Sequence, residues 1–467
     1  MADTPRRDTS EGPLIDVTDI VETQHIGPFV WALLFWTGMS MLLDGFDFGG
    51  ISYVVPRLAQ EWHAPVGGFG SVLGVGVFGF MVGSIVFGYV GDKIGRKRTI
   101  LLGCWWFGAF VFASVWAPNV EVLMWLRFLA GVGLYAAVPN AIVLINEFAP
   151  SRLKGTWVVL MFTGFTMGMV VAGIVAAGLI PTFGWQVMFV LGGLIPFPLA
   201  IALIFTIPES VRFLTQHEER WSELAAVLTR MKPGLTIPAN ARFTIHEETF
   251  EKFSYRLLFA GPLLLITPLL WLFYISNSMA TFFISGWMPT LIQSAGFTPG
   301  QAALTTSLNA VGATIGGLFA GVIMDRLGLM AVAVFPLFGA LISFVIGYPM
   351  STLALEALVF MQGFFVVGAQ FACTALGPMF YPTSYRADGE GTALAVAKIG
   401  SIAGPVVGGV VIGMHLPLYQ LFYVAAIPLL FSAVVSFLLG RVAQKSVPTY
   451  AIEAIAESAQ PGPLAGM

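Results

Sequence analysis

Hydrophobic and polar positions alternate on a coarse scale along this chain. Long apolar runs lie near residues 29–50, 67–90, 99–117, 121–146, 156–180 and 186–207. A polar stretch from Pro208 to Tyr255 follows, and then six more runs lie near 262–291, 300–324, 331–349, 352–381, 391–414 and 417–440. A helix of about 20 apolar residues crosses a bilayer core, so each run predicts one transmembrane helix. The pattern predicts an all-α membrane protein of twelve spans in two six-helix halves. The expected organisation is an N-terminal segment over 1–28, a first half over 29–207, a linker over 208–261, a second half over 262–440 and a tail over 441–467. Residues 15–26 read as a short amphipathic helix on the membrane surface. The tail is polar and rich in small residues, and is expected to lack structure. No short apolar segment precedes a cleavage site near the start, so no signal peptide is expected.

Composition sharpens this reading. Of 467 residues, 57% are hydrophobic and only 10% are charged. A soluble fold carries about 25% charged residues and has no means of hiding so much apolar surface. The net charge of −3 gives no basis for binding nucleic acid. The two cysteines, Cys104 and Cys373, both fall in apolar runs and imply neither a disulfide framework nor a metal site. The histidines are dispersed, with no zinc-like spacing, and no phosphate-cradling Gly-x-x-x-x-Gly-Lys-Ser/Thr loop is present. Neither an enzyme site nor ATP-driven pumping is expected, and no cofactor is implied.

Basic residues give orientation. With both ends placed in the cytoplasm, all but three of the 22 Lys and Arg (Arg57, Arg127 and Lys398) fall in cytoplasmic segments. A wrong number of spans would scatter them over both faces. The halves also repeat. Gly88, Asp92, Gly95, Arg96, Lys97 and Arg98 follow the second span, and Gly321, Asp325, Arg326 and Gly328 follow the eighth. Asp92 to Asp325, and Pro150 to Pro382, are displaced along the chain by the same distance to within one residue, which points to a duplicated six-helix unit.

The loop from Gly88 through Asp92 and Gly95 to Arg96-Lys97-Arg98, seated between two spans, resembles the signature of the major facilitator superfamily. Within it the chain resembles the aromatic acid:proton symporters. The matching residues are Asp44-Gly45-Phe46-Asp47 in span one, Arg127 through Gly131 and Gly133 to Pro139-Asn140 in span four, Glu147 and Pro150 at its end, and Pro208-Glu209-Ser210 with Arg212 after span six. Trp287 and Pro289 in span seven, Tyr381-Pro382 with Arg386, and Gly400 with Gly404-Pro405 in span eleven complete the match over most of 15–440. The resemblance implies the major facilitator fold in the inner membrane and proton-coupled uptake of an aromatic carboxylate. The chain departs from the family at Lys398, where Arg is usual, at Thr392 for Trp, at Glu390 for an apolar residue, and at Tyr135 for a small one.

Four charges fall within spans. Asp44 and Asp47 are three residues apart and share a helix face. Idle carboxylates in a bilayer are costly, so the pair is expected to take up protons. Arg127 reaches a similar depth: Asp44 lies about 21 Å from one face and Arg127 about 9 Å from the other, in a core about 30 Å thick. Pairing of Arg127 with an aspartate is therefore expected, and a purely structural ion pair is the plainer alternative. Lys398, about 10 Å into span eleven, is a candidate to neutralise a substrate carboxylate, against the alternative of snorkelling to the rim. Tyr135 is a candidate ring contact among aromatics that mostly pack or meet lipid. Gly88, Asp92, Gly95, Arg96, Glu147, Asp325, Arg326 and Arg386 are candidates for a cytoplasmic gate, with topology alone as the plainer reading.

The expectation is a secondary transporter, working as a monomer in the lipid bilayer, that moves protons with a small organic anion. A proton-coupled exporter of an amphipathic compound keeps the same fold with reversed flux. A transporter-like nutrient sensor would call for a larger soluble extension than the central stretch and tail provide.

Overall fold

The computed structural model describes residues 12–24, 26–238, 240–245, 254–327, 333–382 and 385–458; for 321–327, 372–375, 377–378, 387 and 445–458 it describes the helical backbone only. The chain divides into two compact units. One comprises Met1–Ala64 with Val75–Thr249, and the other Pro65–Gly74 with Phe250–Met467.

The N-terminal unit begins with a short strand, β1 (Leu14–Asp16), and helix α1 (Val17–Thr23). The long helices α2 (Pro28–Glu61), α3 (Phe69–Ile94, in this unit from Val75 onward), α4 (Arg96–Ala113), α5 (Val120–Phe148) and α6 (Lys154–Phe183) follow. The sixth apolar run is broken at Ile195–Pro196 into α7 (Gln186–Leu194) and α8 (Pro196–Thr206). Proline starts α8 in the first-turn position, where its missing N–H costs least. After it come α9 (Val211–Thr215), α10 (Trp221–Met231) and β2 (Arg242–Thr244). Side-chain caps set several starts: Asp16 accepts from Thr18 N, Asn119 from Val122 N and Ser210 from Phe213 N.

The helices of this unit pack closely because glycines remove the Cβ where they cross. α2 and α6 are extensively packed. A Cβ at Gly45 would overlap the backbone of Phe165, and one at Gly168 would overlap Leu42. Such contacts drive association where lipid is as apolar as the helices. Gly45 does not break the first span; α2 runs through it unbroken.

The C-terminal unit contains α11 (Leu263–Ser294), α12 (Pro299–Leu327), α13 (Val334–Ile346), α14 (Thr352–Gln362), α15 (Gly368–Phe380), α16 (Arg386–Gly413) and α17 (Leu418–Ser458). A π-helical turn over Gly363–Val367 joins α14 to α15. The packing of α11 on α16 repeats the device of α2 on α6: Gly400 sits against the backbone of Ile275, and Gly404 against that of Met279. The duplication read from the loops thus has a counterpart in the packing.

Among the described residues, eleven helical spans are long and apolar enough to cross a membrane, by length and composition. The helix in the ninth position, α13, is apolar but has 13 residues. At 1.5 Å per residue it covers about 20 Å, short of the bilayer core. The chain is a multi-pass helical membrane protein.

Two local expectations need correction. Within residues 15–26 the expected helix is present as α1, but it buries Val17, Ile20 and Val21 against the protein, which leaves little apolar face for lipid, and β1 before it pairs in parallel with β2. The linker carries α9, α10 and β2. The tail expected to lack structure continues as helix α17 to Ser458.

Candidate functional site

The centre of the N-terminal unit is an ion pair between α2 and α5. Arg127 Nη1 donates to Asp47 Oδ1 at 2.7 Å, and Nη2 donates to Oδ2, giving a two-point contact. Asp47 is 5% exposed and Arg127 4%. The fork geometry suits a carboxylate as no ammonium would. Asp44, one turn earlier on α2, is equally buried. The expected pairing is present, and Asp47 is the partner. Tyr135, two turns after Arg127 on α5, is half-buried and stacks on Phe80 with ring centroids 4.4 Å apart and planes 13° from parallel.

A second cluster forms at the elbow between α3 and α4. Gly95 has φ +99, a left-handed conformation that side chains rarely adopt. A Cβ there would collide with the carboxylate of Glu209. Glu209 is 1% exposed and accepts from Lys97 N at 2.9 Å and from its neighbour Ser210 N at 3.1 Å. Arg96 donates to Asn140 Oδ1 at 2.8 Å and pairs with Asp92 four residues before it. Asn140 in turn donates to Ala136 O at 2.8 Å. Glu147 accepts from the Ser210 hydroxyl. The predicted residues Asp92, Gly95, Arg96 and Glu147 therefore belong to one network that ties the elbow to the end of α5 and the start of α9. Gly88 meets nothing within 4 Å, so no steric need fixes it as glycine.

The counterpart loop in the C-terminal unit is less fully seen. Asp325 and Arg326 lie at the end of α12, and their side chains fall outside the described residues. Arg386 is exposed at the start of α16, and its Nε donates to Tyr381 O at 3.2 Å. Lys398 is half-buried further along α16. Of the other aromatics, Trp287 is fully buried and donates to Pro405 O at 3.0 Å, while Phe364 and Phe365 pack on Phe335. These rings serve packing.

The sequence marks Glu209 as a residue of the cytoplasmic rim, Asn140 as part of a motif and Glu390 as a departure, but gives none of their partners. A carboxylate at Glu209, beside a break in hydropathy and opposite a glycine elbow, is recognisable once the fold is known. Glu390 accepts from the hydroxyl of the fully buried Tyr274.

A buried ion pair inside long apolar helices, in a chain built of two compact helical units, marks a polytopic membrane protein with an ionised interior site. The sequence pattern of the Major Facilitator Superfamily matches residues 37–298 and 270–461. The 4-hydroxybenzoate transporter PcaK of Pseudomonas aeruginosa is 32% identical, covering 92% of this chain and 96% of that protein. The gallate transporter of Pseudomonas putida is 33% identical, covering 93% and 97%. The solved D-xylose-proton symporter has a TM-score of 0.65 at 18% identity, covering 88% of this chain and 97% of its own. A bacterial homolog of the lysosomal transporter Spinster, in its occupied conformation, reaches 0.70 at 15%, covering 90% and 99%. These two structures share the fold. The chain belongs to the Major Facilitator Superfamily, whose members and the relatives named here are transporters and not enzymes.

Proposed function

We propose that this protein takes up an aromatic carboxylate of the hydroxybenzoate type together with protons, by alternating access. The observation that carries this reading is the buried two-point pair of Arg127 on α5 and Asp47 on α2, with Asp44 one turn away on α2, inside long apolar spans. Maintaining three ionisable groups there is expensive unless they do work. The relatives named for 4-hydroxybenzoate and gallate support the substrate class.

In this scheme Asp44 and Asp47 take up protons, and Arg127 holds the carboxylate while it is unprotonated. Protonation of Asp47 loosens its grip on Arg127 and frees the guanidinium for the substrate. Lys398 neutralises the substrate carboxylate, and Tyr135 offers a ring face. The elbow of Asp92, Gly95 and Arg96, with Glu147, and the counterpart residues Asp325, Arg326 and Arg386 act as a gate, in which individually weak surface pairs bias one of two packings. The protein sits in the inner membrane as a monomer with both ends cytoplasmic. A monoanion entering with one proton moves no net charge and draws on the pH gradient alone, about 1.4 kcal/mol per unit. A second proton adds about 2.3 kcal/mol per 100 mV of membrane potential.

The test is uptake into proteoliposomes with a panel of labelled aromatic and aliphatic acids, with and without a protonophore. Inward accumulation of an aromatic acid that collapses with the protonophore is expected. Accumulation of no acid, or accumulation indifferent to the protonophore, overturns symport.

A further inference from the structure

The C-terminal unit holds a polar stripe whose parts the scheme above does not use. α11 carries Tyr274, Asn277, Ser278 and Thr281, a spacing that places all four on one face of the helix. The Tyr274 hydroxyl donates to both carboxylate oxygens of Glu390, each at 3.3 Å. One turn further on, Asn277 Nδ2 and Ser278 Oγ donate to Gln370 Oε1 at 2.9 and 3.2 Å. Glu390 from α16 and Gln370 from α15 therefore flank the same face of α11, about 5.4 Å apart along its axis.

The hydrogen-bond count leaves capacity at this place. Tyr274, Asn277 and Ser278 are buried, whereas Glu390 and Gln370 are half-buried and partly open. A carboxylate accepts about four hydrogen bonds, and among the described residues Tyr274 is the only hydrogen-bond donor to Glu390. Both bonds from α11 to Gln370 end on Oε1, so its NH2 group is engaged by neither Asn277 nor Ser278. Asn277 Oδ1 is buried with no partner among the described residues. Apolar side chains would pack α11 against α15 and α16 without this cost.

We propose that Glu390 and Gln370 read a ring hydroxyl of the transported acid. The phenolic O–H donates to the Glu390 carboxylate, and the Gln370 NH2 donates to the phenol oxygen. This deepens the aromatic-acid reading above and rests on it. Lys398 follows Glu390 by two turns on α16, about 12 Å along the axis and within about a quarter turn around it. The reach of the two long side chains brings that span down towards the length of a hydroxylated benzoate. The two ends also orient the ligand: a substrate carboxylate is drawn to the Lys398 ammonium, and the end that bears a hydroxyl finds hydrogen-bond partners at Glu390. A site built to bond a hydroxyl rejects the analogue lacking it, because its polar groups are then left unpaired.

The experiment measures uptake of benzoate and of 4-hydroxybenzoate by wild type, Glu390→Gln, Glu390→Leu and Gln370→Ala in proteoliposomes, with the amount of inserted protein quantified. Wild type should favour the hydroxylated acid by roughly tenfold or more, the discrimination expected of a hydrogen bond to a charged group. Glu390→Leu should abolish the preference by raising the apparent KM for the hydroxylated acid alone. Glu390→Gln, nearly the same in shape, should weaken the preference partway, which separates recognition from damage to folding. Equal preference in wild type and in all the inserted variants overturns the proposal while leaving aromatic-acid transport standing. Uptake of neither acid by wild type overturns the function proposed above.

Discussion

Arg127 on α5 grips both carboxylate oxygens of Asp47 on α2, and both side chains are buried within long apolar helices. A buried pair of this kind is weak evidence for stability, because desolvation offsets its attraction. Removing one partner is another matter, since the survivor is left charged and alone. Arg127→Gln should destabilise the purified protein by about 3–5 kcal/mol. The double variant Arg127→Gln/Asp47→Asn should lose much less than the sum of the two single changes. Thermal unfolding in detergent checks this, and additive losses would show that the pair is not coupled.

Coupling has its own signature. Asp44→Asn and Asp47→Asn should each abolish accumulation against a gradient while leaving exchange or downhill flux measurable. Preserved accumulation in both variants would remove these aspartates from the proton path. A proteoliposome assay with an imposed pH gradient separates the two fluxes.

The α3–α4 elbow predicts a backbone effect. Gly95 has φ +99, and the Glu209 carboxylate occupies the place where a Cβ would project. Gly95→Ala should cost roughly 1–3 kcal/mol from the strained conformation alone, with further loss as Glu209 is displaced from Lys97 N. Gly88→Ala, where a Cβ meets nothing within 4 Å, should be nearly silent. Comparing the melting temperatures of the two variants gives the answer directly.

Substrate anchoring is testable at Lys398. Lys398→Ala should raise the KM for aromatic acids at least several-fold with little change in stability. Lys398→Arg should retain affinity, because the charge that matters is kept. An unchanged KM for every transported acid in the alanine variant would remove the residue from the site.

The N-terminal strap responds to pH. Glu22 accepts hydrogen bonds from Ser151 N and from the Ser151 hydroxyl, and these bonds, with the nearby Lys154 and Arg152, hold its carboxyl below the ordinary value of 4.5. The stabilisation is therefore fully present above pH 4.5 and is lost as pH falls through the lower folded value. Glu22 is exposed, so the effect is local and small. Limited proteolysis near β1 should accelerate in Glu22→Gln at neutral pH and in wild type only under acid.

Hydropathy is a local, one-dimensional signal, and the sequence by itself therefore determined what depends on local composition: the succession of apolar helices, the polar break between halves and the repeated glycine–aspartate motif. Asp44 and Asp47 share a helix face, and from the sequence either was an equal candidate for Arg127. Only the packing of α2 on α5 made the partner Asp47. The tertiary structure alone brought Glu209 into the Gly95 elbow, Glu390 to Tyr274, and β1 beside β2. In each case the partners lie far apart in the chain, and their meeting depends on the lateral order of helices and on glycine contacts a few ångströms wide. Such contacts leave no trace in periodicity, because a bilayer rewards any apolar face equally and leaves close packing to choose among them.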